Sequence, residues 1–81
     1  MSTPAVEVNV LAHKVSFTDD DLVVELVDGR TVSVPLIWFP TLAHATPQQL
    51  NNFEILGDGE GIHWPDLDED LSVSGLLRGN H

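Results

Sequence analysis

The sequence predicts an α+β domain in which a small antiparallel sheet packs against short helices. Apolar residues alternate with polar ones in the N-terminal half, as in half-buried strands. A Thr-Pro pair and a later serine each precede apolar residues at helical spacing. With 81 residues the chain is long enough for one domain, and we expect residues 1–81 to form it.

The first strand is predicted to be long and irregular. Apolar residues alternate with polar ones from Val6 to Val10, and the apolar positions then shift in parity to Val15 and Phe17. A shift of one position moves the apolar side chains to the other face unless an extra residue is inserted. We therefore expect a bulge or bend near residues 11–14.

A β-hairpin is predicted around Asp28-Gly29, which lies between two alternating apolar runs. A two-residue loop would place Val24 opposite Ser33. A three-residue loop pairs Val24 with Val32 instead, and so places apolar side chains together. The sequence therefore favours a type I turn followed by a bulge at Gly29.

The middle of the chain predicts two short helices, or one broken helix, near residues 39–45 and 47–52. Thr46 has the position of an N-cap, and Pro47 has the first helical position, where its missing N–H costs nothing. The apolar residues within 53–56 then predict a short strand.

The last third of the chain predicts a loop followed by a helix. Residues 57–70 are rich in Gly and Asp, with one extended stretch expected at 62–64. Ser72 is expected to cap a final helix with its apolar residues facing inward, and Gly79 to end it. The predicted order is β-β-β-α-β-α, with the short helices packed on one face of the sheet.

Charge and composition exclude several classes of function. Thirteen acidic residues face three basic ones, Lys14, Arg30 and Arg78, so clustered cations for gripping phosphates are lacking and direct nucleic-acid binding is disfavoured. The absence of cysteine excludes disulfides and thiolate metal sites. No secretion signal or spanning apolar run is present, so we expect a cytoplasmic protein without membrane contact, as a monomer or small homo-oligomer. An acidic surface either suits a basic partner or simply keeps a small protein soluble.

The glycine-rich run GDGEG at residues 57–61 does not match a phosphate-binding loop. Its third glycine comes one residue too early for the dinucleotide-binding pattern. Asp58 and Glu60 occupy its variable positions and would repel a phosphate. We interpret the run as a flexible acidic turn that needs positive φ angles.

Asp66, Asp68 and Asp70 recur at every second position, as at the start of an EF-hand calcium loop. That loop also needs a glycine at its sixth position and a glutamate at its twelfth, where this chain has Leu71 and Leu77. A calcium, magnesium or small-ligand site that uses the acidic residues 66–70 remains the alternative function. The other interpretation is structural: these carboxylates precede the predicted final helix, where they favour its dipole.

The sequence contains no pattern that indicates a catalytic site. His63 and Asp66 could act as a general base and its orienting carboxylate, but no Ser or Cys nucleophile occurs in a recognisable context. No pair of histidines has zinc-ligand spacing on one helix face. We expect no enzyme activity, no catalytic residues, no metal and no cofactor.

The two tryptophans are either core residues or anchors for a partner. Large aromatic side chains in so small a domain are most often buried, but Trp is also enriched at binding hot spots. A tryptophan beside carboxylates suits a partner that offers Arg or Lys. The predicted partner-binding residues are Trp64, Asp66, Asp68, Glu69, Asp70 and Trp38.

The stretch from Leu22 to Gly79 resembles the small bacterial family called domain of unknown function 2442. The resemblance is carried by Asp28-Gly29-Arg30, by Val34-Pro35 with Trp38 and Pro40, and by the runs GIHWP at 61–65 and LDEDLS at 67–72. It implies an α+β fold without an established enzymatic activity. Family genes often lie beside those of another small family, in an arrangement similar to toxin–antitoxin pairs. The resemblance therefore implies an antitoxin-like, non-catalytic protein that binds a basic protein partner.

Overall fold

The computed structural model describes residues 10–78 and contains two antiparallel sheets of three strands each. In each sheet the strands are neighbours in chain order. The first sheet contains β1 (Ala12–Phe17), β2 (Asp21–Leu26) and β3 (Thr31–Pro35). The second contains β4 (Glu54–Leu56), β5 (Gly61–Trp64) and β6 (Glu69–Ser72).

Short helices connect the sheets and follow the second one. A 3-10 turn (Leu36–Trp38), α1 (Pro40–Ala43) and α2 (Pro47–Asn51) lie between β3 and β4. The last element, α3 (Val73–Arg78), follows β6 directly. The expected α+β class is confirmed, and the order β-β-β-α-β-α matches the structure in outline. The difference is that the segment before the last helix forms a second three-stranded sheet, whereas the predicted order has a single strand there.

The strand β6 (Glu69–Ser72) begins inside the segment 57–70, which the sequence predicted to be a loop. Its residues, EDLS, are mostly polar, and Asp is disfavoured in strands. The strand forms because it pairs with β5 in register, so that Leu71 lies opposite the buried Ile62. A tertiary contact therefore overrides local preference here.

The first sheet has the predicted register. Leu22 lies opposite Val34 and Val24 opposite Val32, and the Leu26 N–H donates to the Arg30 carbonyl at 2.7 Å. Gly29 has a φ of 97°, which only glycine adopts without strain. The three-residue loop with its bulge at Gly29 is therefore confirmed.

The predicted bulge in the first strand is also present. The register between β1 and β2 shifts between Ala12 and Lys14, within the expected interval. The alternation predicted for residues 6–9 lies outside the described residues, and so does the helix end expected at Gly79.

The start of α2 is a capping box. The Gln49 N–H donates to Thr46 Oγ1 at 3.1 Å, and the Thr46 N–H donates to Gln49 Oε1 at 3.0 Å. Two N–H groups at the helix start are thus satisfied by the two side chains. Thr46 is the predicted N-cap and Pro47 the predicted first helical residue.

The core is built around Trp64, whose side chain is fully buried. Its ring lies 6.4 Å from the rings of Phe17 and Phe53, and its Nε1–H donates to the Leu50 carbonyl at 3.0 Å. Both sheets and the chain around α2 therefore meet on one indole ring. The buried core residues are Ala12, Val15, Leu22, Val24, Leu26, Val34, Leu36, Phe39, Leu42, Ile62, Trp64, Val73 and Leu76.

The two sheets are also joined through backbone contacts at Gly59. The Ala12 N–H donates to the Gly59 carbonyl at 2.7 Å, and the Val73 N–H donates to the Glu60 carbonyl at 3.0 Å. A Cβ on Gly59 would lie 2.5 Å from the Ala12 carbonyl oxygen, and the φ there is 115°. The turn expected at 57–61 is thus present with positive φ at Gly57 and Gly59, but Gly59 is buried in a fixed joint rather than flexible.

The final helix begins as predicted. Ser72 Oγ accepts from the Gly75 N–H at 3.2 Å, which caps α3. Val73 and Leu76 are buried, and Leu77 packs half-buried against the core. Among residues 10–78, no helix has the length and apolar character needed to cross a bilayer.

The pair Ile62 and Ile55 provides a test of the core. These isoleucines lie opposite each other on β5 and β4, but Ile62 is fully buried and Ile55 is 38% exposed. We expect Ile62→Val to lower the free energy of unfolding by about 1 kcal/mol, because a buried methyl group is lost. Ile55→Val is the matched control and should change it by less than about 0.5 kcal/mol. Urea unfolding of both variants checks this, and equal losses would contradict the assignment of the core.

Candidate functional site

The six predicted partner-binding residues do not form one surface, because Trp64 is in the core. Its side chain has no exposed area, and its indole N–H is satisfied by Leu50. The prediction that Trp64 contacts a partner is therefore wrong for the folded protein. The physical reason is the period of a strand: Ile62 and Trp64 point to the same, inner face of β5.

The acidic hairpin, which we define as Asp66, Asp68, Glu69 and Asp70, is a turn and a strand rather than a helix entrance. Asp68 lies in the turn with a positive φ of 52°, and Glu69 and Asp70 belong to β6. The first turn of α3 contains no acidic residue. The interpretation that these carboxylates favour a helix dipole is therefore wrong.

The carboxylates of the acidic hairpin point to different neighbours. Asp66 Oδ2 accepts from Asn52 Nδ2 at 2.9 Å, which ties the hairpin to the end of α2. Asp70 binds Nδ1 of His63 on the adjacent strand. His63 thus pairs with Asp70 and not with Asp66, the carboxylate considered for a catalytic pair, because the register of β5 and β6 places His63 and Asp70 opposite each other.

A row of ionisable residues crosses the outer face of the second sheet. Glu54 lies opposite His63, and His63 lies opposite Asp70, so the histidine has a carboxylate strand neighbour on each side. Ser72 is the hydroxyl residue on the same face of β6, but its oxygen caps α3. The row therefore places one imidazole between two carboxylate-bearing positions, with Asp70 as its hydrogen-bond partner.

The alternative of a cation site receives no support from the geometry. Within residues 10–78, no three His, Cys, Asp or Glu side chains come together in an arrangement suited to a metal ion. Alternation along β6 sends Glu69 and Asp70 to opposite faces of the sheet. The carboxylates that are dense in sequence are therefore spread out in space.

Trp38, the remaining predicted contact, lies on a different element. It ends the 3-10 turn after β3 and is 39% exposed. Its neighbour Ile37 is 79% exposed, although most large apolar side chains of the described residues are at least half-buried. The 3-10 turn thus presents two adjacent apolar side chains to solvent.

An acidic turn of three aspartates, Asp19–Asp21, lies beside this 3-10 turn. Thr18 Oγ1 accepts from the N–H groups of Asp20 and Asp21 at 3.3 and 2.9 Å. The Leu36 N–H donates to the Asp20 carbonyl at 2.8 Å. The backbone of the acidic turn is therefore held by hydrogen bonds from both sides.

Two adjoining grooves lie between the acidic turn and the helical segment, and we call them together the docking groove. Their volumes are about 390 and 310 Å³. Asp19, Leu36 and Ala43 line both of them. The first is otherwise lined by Phe17, Thr18, Leu42, Ala45, Pro47, Leu50 and Asn51, and the second by Asp20, Asp21, Pro35 and Ile37.

The few cations of the chain leave most of this charge uncompensated. Arg30 is engaged by Asp28, with Nη2 and Oδ2 at 2.8 Å. The Arg30 backbone N–H, together with the guanidinium beside it, holds the pKa of the Asp28 carboxyl below its ordinary value. Among residues 10–78, Lys14, Arg78 and the aspartates of the acidic turn have no ion-pair partner.

The docking groove is the feature that the sequence did not reveal. The sequence indicates no more than a polar turn at Asp19–Asp21, and it assigns the surrounding apolar residues to strands and helices. The available signal was the run WFP after Ile37, in which large apolar residues crowd a proline-bounded turn. Only the fold brings that turn beside the aspartates.

These features define a class: a small two-sheet α+β domain with a strongly acidic surface. The chain belongs to the family described as Protein of unknown function (DUF2442), whose pattern matches residues 12–81. The resemblance seen in the sequence is thereby confirmed.

Two solved structures have the same fold. One is a protein of unknown function from Rhodospirillum rubrum, 36% identical over 89% of each chain, with a TM-score of 0.78. The other is an uncharacterised protein from Chromobacterium violaceum, 26% identical, with a TM-score of 0.73 over 98% of this chain and 86% of that one. No curated protein matches the sequence. None of these descriptions indicates a catalytic family.

Fluorescence quenching distinguishes the two tryptophans. We expect the emission of Trp38→Phe, which retains only Trp64, to be quenched weakly by acrylamide because that ring is buried. Trp64→Phe retains the exposed Trp38 and should be quenched several times more strongly. Acrylamide is uncharged, so the acidic surface does not bias the result. Circular dichroism confirms that each variant is folded, and equal quenching constants would contradict the burial of Trp64.

The pKa of Asp28 tests the electrostatics of the hairpin. We expect Arg30→Gln to raise the pKa of Asp28 only part of the way to its ordinary value, since the main cause, the residue-30 backbone N–H, remains. Because folding lowers this pKa, the carboxylate stabilises the fold above its unfolded-state pKa, and that contribution is lost as the pH falls through the folded-state value. An NMR titration of the carboxyl carbon measures the shift. A complete return to the ordinary value would assign the effect to the guanidinium instead.

Proposed function

We propose that this protein is a non-catalytic interaction module that binds a basic protein partner in an antitoxin-like manner. The observation that carries the proposal is the uncompensated surface charge. The net charge is −10, and among residues 10–78 no charged side chain is buried. Arg30–Asp28 is the ion pair involving Lys or Arg in that part of the chain, and Asp70 contacts His63, so most carboxylates face solvent without a cation.

An acidic surface with few compensating cations has two effects, one on stability and one on association. Like charges repel one another and destabilise the compact state. The same field attracts a basic protein over distances of about a Debye length, roughly 10 Å at 0.1 M salt, and it raises the rate of association. A basic partner would relieve the repulsion on binding, so that complex formation also stabilises this fold.

Exposed apolar side chains supply the second component of an interface. Ile37 is largely exposed on the 3-10 turn and Trp38 is partly exposed beside it, and stable interfaces place such apolar anchors at their centre with charges at the rim. Charge alone gives a fast but non-selective encounter. Apolar anchors beside carboxylates give selectivity for a partner that is both basic and apolar at the contact.

The antitoxin-like character of the proposal rests on the family resemblance and on chemistry. The resemblance implies gene pairs of the toxin–antitoxin type, in which one protein masks the other. A toxin that acts on RNA needs a cationic surface, and an acidic protein is suited to cover it.

The test is an affinity capture with the full chain, tagged, in an extract of its native host. We expect one basic protein at near-equal amount at about 0.1 M salt and its release at about 1 M, where screening shortens the Debye length to roughly 3 Å. A control bait of similar size and net charge, but of unrelated fold, removes proteins that bind any acidic surface. Recovery of only those shared proteins, or of a partner that salt does not release, would refute the proposal.

A further inference from the structure

We infer that the docking groove is the surface on which the partner binds, and that its occupant is a basic, amphipathic segment of a protein: an apolar side chain flanked by Lys or Arg. This inference rests on the proposed function and specifies its site. It replaces the acidic hairpin, which the sequence favoured, as the place of contact.

The shape of the docking groove fits a side chain and its neighbours. Leu36, Leu42 and Ala43 give it an apolar floor and wall. Its two parts, of about 390 and 310 Å³, lie at the lower end of the ~300–1,000 Å³ range of ligand sites. An apolar anchor can enter here without rearranging the core, and the exposed Ile37 extends the contact outward.

The rim of the docking groove determines the charge of the occupant. Asp19, Asp20 and Asp21 all border the second part, and no cation of residues 10–78 pairs with them. Their backbone is held by Thr18 and Leu36, so the carboxylates need no ordering of the turn when a ligand binds. A preorganised acidic rim beside an apolar wall complements a segment that combines cations with an apolar side chain.

The acidic hairpin lacks this combination. Asp70 is engaged by His63 and Asp66 by Asn52, and the aromatic residue expected to anchor a partner there, Trp64, is buried. A second copy of this chain is also a poor occupant of the docking groove. The chain has three cations, and one of them, Arg30, is already paired with Asp28.

The experiment uses a displayed library of random peptides, selected against the purified full chain. We expect enriched peptides to carry one large apolar residue with Lys or Arg on either side. Their amide shift changes, in an NMR titration of labelled protein, should centre on Asp19–Asp21, Leu36 and Ala43. Binding should weaken as salt is raised, because the rim contacts are exposed to solvent.

One pair of variants tests the shape of the docking groove. Ala43→Trp fills the junction of its two parts with a bulky ring and leaves every charge in place. We expect it to weaken binding of the selected peptides at least about tenfold, equivalent to about 1.4 kcal/mol. Thr41→Trp adds the same ring to an exposed position of α1 that does not line the groove, and should change binding less than about twofold.

A second pair tests the position of the charge. Asp19→Asn with Asp20→Asn removes two rim carboxylates, and Asp68→Asn with Asp70→Asn removes two from the acidic hairpin. Both double variants change the net charge equally, and Asn tolerates the positive φ at position 68. The rim variant should bind about threefold to tenfold more weakly, and the hairpin variant should bind as the parent does.

The outcomes separate this inference from the proposed function. Basic peptides whose binding fails in the hairpin variant, and not in Ala43→Trp, would overturn the groove and leave the interaction module intact. Enrichment of no peptides, or of peptides without cations, would overturn the groove and count against a basic partner. A dimer of the protein that Ala43→Trp dissociates, detected by ultracentrifugation, would assign the groove to a second copy and would also overturn the inference.

Discussion

The burial of one indole ring determines how the rest of this small domain is arranged. Trp64 is the largest fully buried side chain, and it contacts aromatic rings from the first sheet and from the chain before β4. Neither three-stranded sheet could cover such a surface alone, because small sheets need a second layer to bury one face. The hydrogen bond from its nitrogen to Leu50 then fixes the depth of α2. The tryptophan thus sets the spacing of both sheets and of the helical segment between them.

The burial of Trp64 also determines which side chains of β5 face solvent. With Trp64 inward, strand alternation directs His63 outward, and the register places it between Glu54 and Asp70. The chain therefore has a tryptophan and a histidine in one motif with opposite roles, Trp64 for packing and His63 on the outer face. A motif such as HWPDLDED reads as a single site in the sequence, but in the fold its residues separate onto two faces and a turn.

The sequence predicts correctly those features that are determined by residues close to one another in the chain. The loop at Gly29, the bulge before Val15 and the cap at Thr46 depend on near neighbours, and all three are confirmed. The strand β6 and the pairing of His63 with Asp70 depend on the register of β5 and β6, which the polar run EDLS does not specify by apolar alternation, and they were not predicted. The docking groove is less local still, because it exists only between a turn of the first sheet and the helical segment. Surface charge was evident from composition, whereas its partition between paired and unpaired carboxylates was not.

The joint at Gly59 has a consequence for how the protein emerges during synthesis. The carbonyl of Gly59 receives the N–H of Ala12, and the next carbonyl receives that of Val73, so one turn connects an early strand to a late helix. Contacts of such long sequence separation must wait for the later partner, and they slow folding in general. Until residue 73 and those after it have left the ribosome, the first sheet carries an uncovered apolar face. During that interval the apolar face is open to contact with other proteins in the cell.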